Sequence, residues 1–140
     1  MSHFTVVRLA INDREALLAA LQAMGYQGKI EIHERPVVLV GYDGAPRELD
    51  GRAVTAEIVI RRQHLWAAAN DIGFARQSDG TYLAYISEYD RRVQPTWHTR
   101  VLQEYGGAKA AKELRRQGWK VDVVRDQATG RLCIQGVRYA

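Results

Sequence analysis

Two apolar runs, Ile72 to Gln77 and Thr81 to Tyr89, flank the turn triplet Ser78-Asp79-Gly80, and no other feature constrains the chain so tightly. An Asp-Gly step between alternating runs is a β-hairpin signal, because the turn needs residues that tolerate positive φ. In the second run Tyr82, Ala84, Ile86 and Glu88 alternate with Leu83, Tyr85 and Ser87. Both faces are therefore apolar, as expected of an interior strand rather than an edge. Just upstream, Val54, Ala56, Ile58 and Ile60 share one face of a strand, and Thr55, Glu57, Val59 and Arg61 the other. These segments commit the chain to an antiparallel sheet.

The remaining elements follow from periodicity and punctuation. Phe4 to Leu9 reads as a first strand. Asn12, three residues before Glu15, resembles a capping box. It opens a helix from about Asp13 to Met24, with Leu17, Leu18, Leu21 and Met24 on one face and Gly25 closing it. Lys29 to His33 and Val37 to Val40 read as two short strands, and Gly44 to Arg52 as an exposed loop. His64 to Asn70 fits either a short helical turn or a loop on the sheet. After a polar connection at Arg91 to Gln94, Pro95-Thr96 opens a long helix, about Thr96 to Gln117. Its buried stripe is Trp97, Val101, Tyr105, Ala108, Ala111 and Leu114. Gly106-Gly107 within it points to a kink or a close backbone contact. Gly118 ends it, and Val121 to Val124 with Leu132 to Val137 make a last hairpin around Ala128-Thr129-Gly130. The expected fold is α+β: an antiparallel-rich sheet with two main helices packed on one face, in the order β-α-β-β-β-β-β-α-β-β. The motif Gly25-Tyr26 recurs as Gly118-Trp119, which fits either an ancient duplication or the same helix-ending chemistry used twice.

With 140 residues, 46% of them hydrophobic, the chain is the size of a single α+β domain over 1–140. It can build its core without metal or disulfide, and its single Cys133 has no partner within the chain. The start, Met1 to Arg8, carries neither a basic leader nor a long apolar run. No signal peptide and no membrane span are expected, and a cytoplasmic location is.

Charge is unevenly distributed. Residues 91–120 hold eight lysines and arginines against two glutamates, whereas the whole chain is only +4. Arg91, Arg92, Lys109, Lys112, Arg115 and Arg116 are the candidates for an acidic protein partner or for nucleic acid. The same charges also fit a solvated helix face. For nucleic acid, Trp66 and Trp97 are the aromatics that could stack on bases.

Catalytic signatures are scarce. No Gly-rich phosphate loop with Lys-Ser or Lys-Thr occurs, and Gly41-Tyr42-Asp43-Gly44 is a turn. The histidines at 3, 33, 64 and 98 lack the common zinc spacings. Ser87 lacks a Gly-flanked elbow. Cys133, on the face opposite Leu132 and Ile134, is expected to be a buried, inert thiol. One acidic set remains: Asp71 precedes one hairpin strand, and Glu88 and Asp90 end its partner. A hairpin brings these ends together, so they could form a cation or acid-base site. Equally, they could pair with Arg61, Arg62, Arg91 or Arg92, or cap the entry to the long helix.

Met1-Ser2-His3-Phe4-Thr5, Met24-Gly25-Tyr26 and, above all, Asn70-Asp71-Ile72-Gly73-Phe74 through Asp79-Gly80-Thr81-Tyr82 to Ile86-Ser87-Glu88-Tyr89-Asp90 resemble one family nearly end to end. It is the uncharacterised family typified by the hypothetical chloroplast open reading frame thirty-five, found in plastids, cyanobacteria and other bacteria. Bacterial members are often encoded beside an AAA+ ATPase, so the resemblance implies an accessory role. Many members carry Tyr-Ala-Tyr-His where this chain has Tyr105-Gly106-Gly107-Ala108, which marks that position as structural and tolerant. The functional expectation is a non-catalytic accessory or binding subunit acting on another protein, an AAA+ ATPase by resemblance. Nucleic-acid binding is the alternative, and a small enzyme or cation site at the acidic set is the third reading. No cofactor is expected, and the oligomeric state is left open.

Overall fold

The computed structural model describes residues 4–138. Its elements are β1 (Phe4–Ile11), α1 (Arg14–Leu21), β2 (Ile30–Val38), β3 (Glu48–Leu49), β4 (Arg52–Ala53) and β5 (Thr55–Ile60). They continue with β6 (Ile72–Arg76), β7 (Tyr82–Ser87), α2 (Glu88–Val93), α3 (Trp97–Arg116), β8 (Trp119–Arg125) and β9 (Leu132–Arg138). The fold is α+β and rich in antiparallel sheet. The chain divides into two compact units. One combines the residues up to Asn12 with Tyr26–Trp97, and the other combines Asp13–Gly25 with the residues from His98 onward.

The first unit is built on a five-stranded sheet in the order β1-β7-β6-β5-β2, every neighbouring pair antiparallel. β7 lies between β1 and β6, the interior place that its two apolar faces require. β5 and β6 pair Ile58 with Phe74 and Ile60 with Ile72, all fully buried or nearly so. A core cluster of Phe4, Leu39, Val54, Ala56, Val59 and Ala75 packs with Tyr85 and Leu49. Elsewhere in the unit the Trp97 ring lies 6.2 Å from Trp66 and from Tyr26, and 6.5 Å from Phe74. Gly73 on β6 has no room for a side chain. A Cβ there would lie 2.7 Å from the Ala56 Cβ and 2.8 Å from Leu39 Cδ1.

Several local expectations change. The two short strands at Lys29–His33 and Val37–Val40 are one strand, β2, with an irregular register between Ile32 and Val37. Pro36 suggests a break, but β2 is an edge strand, where a missing N–H costs no ladder bond. The loop read over Gly44 to Arg52 contains the small hairpin β3–β4, turned by Asp50 and Gly51 with φ of 53° and 76°. Two positive φ values make it a type I′ turn. β7 ends at Ser87, because Ser87 Oγ accepts from the Asp90 N–H and starts α2. Glu88 and Asp90 are therefore helical, not the end of a strand. Of His64 to Asn70, His64 closes a single 3₁₀ turn, Arg62–His64, and the rest is neither helix nor strand.

In the second unit α1 is capped by Asp13 rather than Asn12, its carboxylate accepting from the Ala16 N–H at 3.0 Å. A wider turn, Gln22–Tyr26, then closes on Gly25 at φ 100°. Gly118 ends α3 in the same way, at φ 91°. The proposed stripe of α3 holds: Val101, Tyr105 and Ala111 are buried and Ala108 and Leu114 half-buried. β8 and β9 form a separate two-stranded sheet in which Val124 pairs with Cys133. Cys133 is exposed, which corrects the expectation of a buried thiol. Alternation does set it opposite Leu132 and Ile134, but that face of the hairpin is open, as the neighbouring Val124 and Val137 also show.

Candidate functional site

The residues with the best claim to chemistry meet around Asn70-Asp71, in the segment leading into β6. Both side chains are fully buried. Asp71 Oδ2 accepts from the Val40 N–H at 2.8 Å and from Arg61 Nη1 at 2.9 Å, and its Oδ1 accepts from the Arg62 N–H at 2.8 Å. Arg61, directly after β5, also gives its Nε to Glu31 Oε2 at 2.9 Å, and His33 Nε2 contacts the other Glu31 oxygen at 2.9 Å. The Arg61 hydrogen bond holds the Glu31 carboxyl below its ordinary range, against partial burial and with help from His33. Glu31 in turn raises Arg61 further, with Asp71 adding to it.

Asn70 links this group to the start of α2. Its Oδ1 accepts from the Tyr42 N–H at 3.1 Å, and its Nδ2 donates to Ser87 Oγ at 2.9 Å and Asp90 Oδ2 at 3.1 Å. Asp90, 1% exposed, receives four donors in all. They are the Asn70 N–H, Asn70 Nδ2 and Ser87 Oγ on Oδ2, and Trp66 Nε1 on Oδ1. A carboxylate offers about four acceptor positions. Asp90 is thus saturated, and Asp71 nearly so.

Of the acidic set, then, Asp71 and Asp90 are joined through Asn70, each held by its own donors. Glu88 points elsewhere, exposed on the first turn of α2. Among the described residues no three His, Cys, Asp or Glu side chains are placed to hold a metal ion. Arg61 is the ion-pair partner of Asp71, while Arg62 contributes only its backbone N–H. Sequence reasoning missed Asn70, Ser87 and Trp66 as members of this network. For Ser87 a signal existed: Ser87-Glu88-Tyr89-Asp90 is a helix-start pattern.

The basic set is spread over two helices. Arg91 and Arg92 are exposed on α2. On α3, Lys109 lies 5.8 Å from the centre of the Tyr105 ring, Lys112 pairs with Asp13 at 3.0 Å and Glu15 at 3.1 Å, and Arg116 pairs with Glu113 at 2.6 Å. Arg115 donates through Nη2 to the Val121 carbonyl at 3.3 Å. Of these six, Lys112 and Arg116 are paired with nearby carboxylates. Trp97 is 6% exposed, with its Nε1 donating to the Tyr26 hydroxyl at 3.0 Å, so it has no face left to stack on a base. Trp66 is half-buried and tied to Asp90. Among the described residues no helix is long and apolar enough to cross a membrane.

These features define an α+β chain whose buried acids fasten loops to a sheet. The chain belongs to the family described as protein of unknown function (DUF1257), whose model matches residues 20–134. That agrees with the likeness to an uncharacterised family carried by its central segment. No curated protein and no solved structure matches it.

Proposed function

We propose that the protein is a non-catalytic accessory or binding subunit that acts on another protein. The observation that carries this reading is that Asp90 is saturated by four internal donors and Asp71 is held by three. A general base or a metal ligand needs a lone pair facing outward, and these carboxylates spend theirs on the chain's own N–H and O–H groups. They act as rivets between β6, α2 and the 40–42 and 61–62 segments. Binding is then the role left to the surface, and two basic sets suit a partner of acidic character: Arg91 and Arg92 in the first unit, and Lys109, Lys112, Arg115 and Arg116 in the second. An AAA+ ATPase is the partner that the family resemblance implies.

The test is affinity purification from the native host at low salt, with wild-type protein and with an Arg91→Glu, Arg92→Glu variant. The expected result is one stoichiometric partner, an AAA+ ATPase, held by the wild type and released by charge reversal. Recovery of no stable protein partner overturns the proposal. Nucleic acid remains the second reading because of the basic density of residues 91–120. The ion pairs of Lys112 and Arg116 reduce that density, and the burial of Trp97 removes a stacking platform. Phosphate neutralisation gives affinity that falls steeply with salt. Oligonucleotide binding with that dependence would favour the second reading, and none at low salt would end it.

A further inference from the structure

An open groove of about 400 Å³ runs through the second unit, along α1 and α3 beside the β8–β9 hairpin. Its floor is Ala16 and Ala111, both buried. Ala19 and Ala23 continue the α1 wall and are exposed. Gly107 and Ala108 continue the α3 wall. The spacing of each set is that of one helical face. Along α3 the lining extends from Glu104 to Arg115, about 16 Å at 1.5 Å per residue. Val123 and Leu132 give the hairpin side, and Val123 is 44% exposed, an apolar group left in water.

The charges on the rim specify the occupant further. Glu104 is paired with Arg125, and Lys112 with Asp13 and Glu15. Arg115 has only the Val121 carbonyl, with no carboxylate paired to it among the described residues. The groove is therefore apolar along its length with one uncompensated guanidinium at the α3 C-terminal end. A guanidinium of this kind is met best by a carboxylate, which it can hold with two parallel bonds.

We infer that this groove accepts an amphipathic helix of a partner protein. Its apolar stripe would lie on the alanines, and an Asp or Glu would meet Arg115. A helix fits better than an extended segment. Alanine methyls offer no partners for the exposed N–H and C=O groups of a strand, whereas a helix satisfies its own. Small side chains on both walls let it approach closely. Nucleic acid fits poorly, since the walls are apolar and one open cation does not track a phosphate backbone. This inference rests on the accessory reading and names the recognition element of that partner.

The test places p-benzoylphenylalanine at Ala19, cross-links in the native host and identifies the attached peptide. That peptide is synthesised and titrated against the wild type and Arg115→Glu. The expected peptide carries apolar residues at helical spacing and an Asp or Glu. Arg115→Glu should weaken it about tenfold or more, with a Lys in place of the peptide's acid restoring binding to that variant. A cross-link to nucleic acid, a peptide without the pattern, or an affinity indifferent to Arg115→Glu overturns the inference. Ala19→Trp separates the two levels, since a bulky ring at this exposed position fills the groove without touching the core. A partner that co-purifies equally with Ala19→Trp overturns the groove and leaves the accessory reading standing. Recovery of no partner at all overturns both.

Discussion

Asp71 shows how a residue can be legible as important while its purpose stays open, between a cation or acid-base site and the pair with Arg61 that the structure shows. Its place before a hairpin strand, close in space to Asp90, was open to inspection in the sequence. That its oxygens face the Val40 and Arg62 amides was not, because a backbone N–H is carried by every non-proline residue and leaves no mark on the sequence. Asn70 was less visible still. A turn residue by composition, it bridges Tyr42, Ser87 and Asp90 only once the loops have packed. If these residues are rivets, their removal should be felt in stability. Asp71→Ala strands two backbone donors and leaves Arg61 with Glu31 as its remaining carboxylate. Breaking a buried pair by deleting one member costs about 3 kcal/mol or more, so the urea midpoint should fall sharply. A loss below about 1 kcal/mol would be that of a surface pair, and would show that Asp71 is not structural.

At the scale of elements, the sequence was most informative where period and punctuation agreed. β5, β6, β7 and α3 lie close to where alternation, the Asp79-Gly80 turn and the helical stripe place them. The departures have local causes. Pro36 reads as a breaker but sits on an edge strand, and Leu49-Asp50-Gly51-Arg52 is a hairpin too short to show alternation. Ser87 ends a strand by starting a helix, a competition that periodicity alone cannot decide. The glycine pair in α3 splits into two cases. A Cβ at Gly106 meets nothing within 4 Å, whereas one at Gly107 lies 2.9 Å from Leu132 Cδ1. Alanine is favoured over glycine in a helix by about 1 kcal/mol. Gly106→Ala should therefore raise the free energy of unfolding by close to that full amount, read as a higher thermal midpoint. Gly107→Ala should gain clearly less, since Leu132 must turn aside. Equal gains in calorimetry would mean that β9 does not press on α3 as described.

For the whole molecule, the response to acid follows from how the carboxylates are held. The Arg116 hydrogen bond, with one from Gln117, pulls the Glu113 carboxyl down to about 2. Asp13 is lowered by the Ala16 amide first, with Lys112 adding to it, and Glu31 by Arg61. A carboxyl depressed in the folded state adds stability above its unfolded pKa and loses it as pH falls through the folded value. The free energy of unfolding should thus stay flat near neutrality, then decline from about pH 4.5 toward 2, the window that Glu113 sets. Glu31→Gln should make the decline shallower, as should high salt, which screens the surface pairs. A profile that keeps its slope in Glu31→Gln would remove that pair from the account. One consequence of the strand order concerns time rather than energy. Among the described residues β1 pairs only with β7, whereas β6 and β7 are joined by the turn at Ser78-Asp79-Gly80 and β5 reaches β6 across the 61–71 segment. On the ribosome β1 emerges first and waits, without a hydrogen-bonding neighbour, until β7 has been made. Contacts between such distant parts of a chain form late and slowly, so closing that edge should be the last act of assembling the sheet, and a nascent chain stalled before Ser87 should hold its oldest strand open to capture.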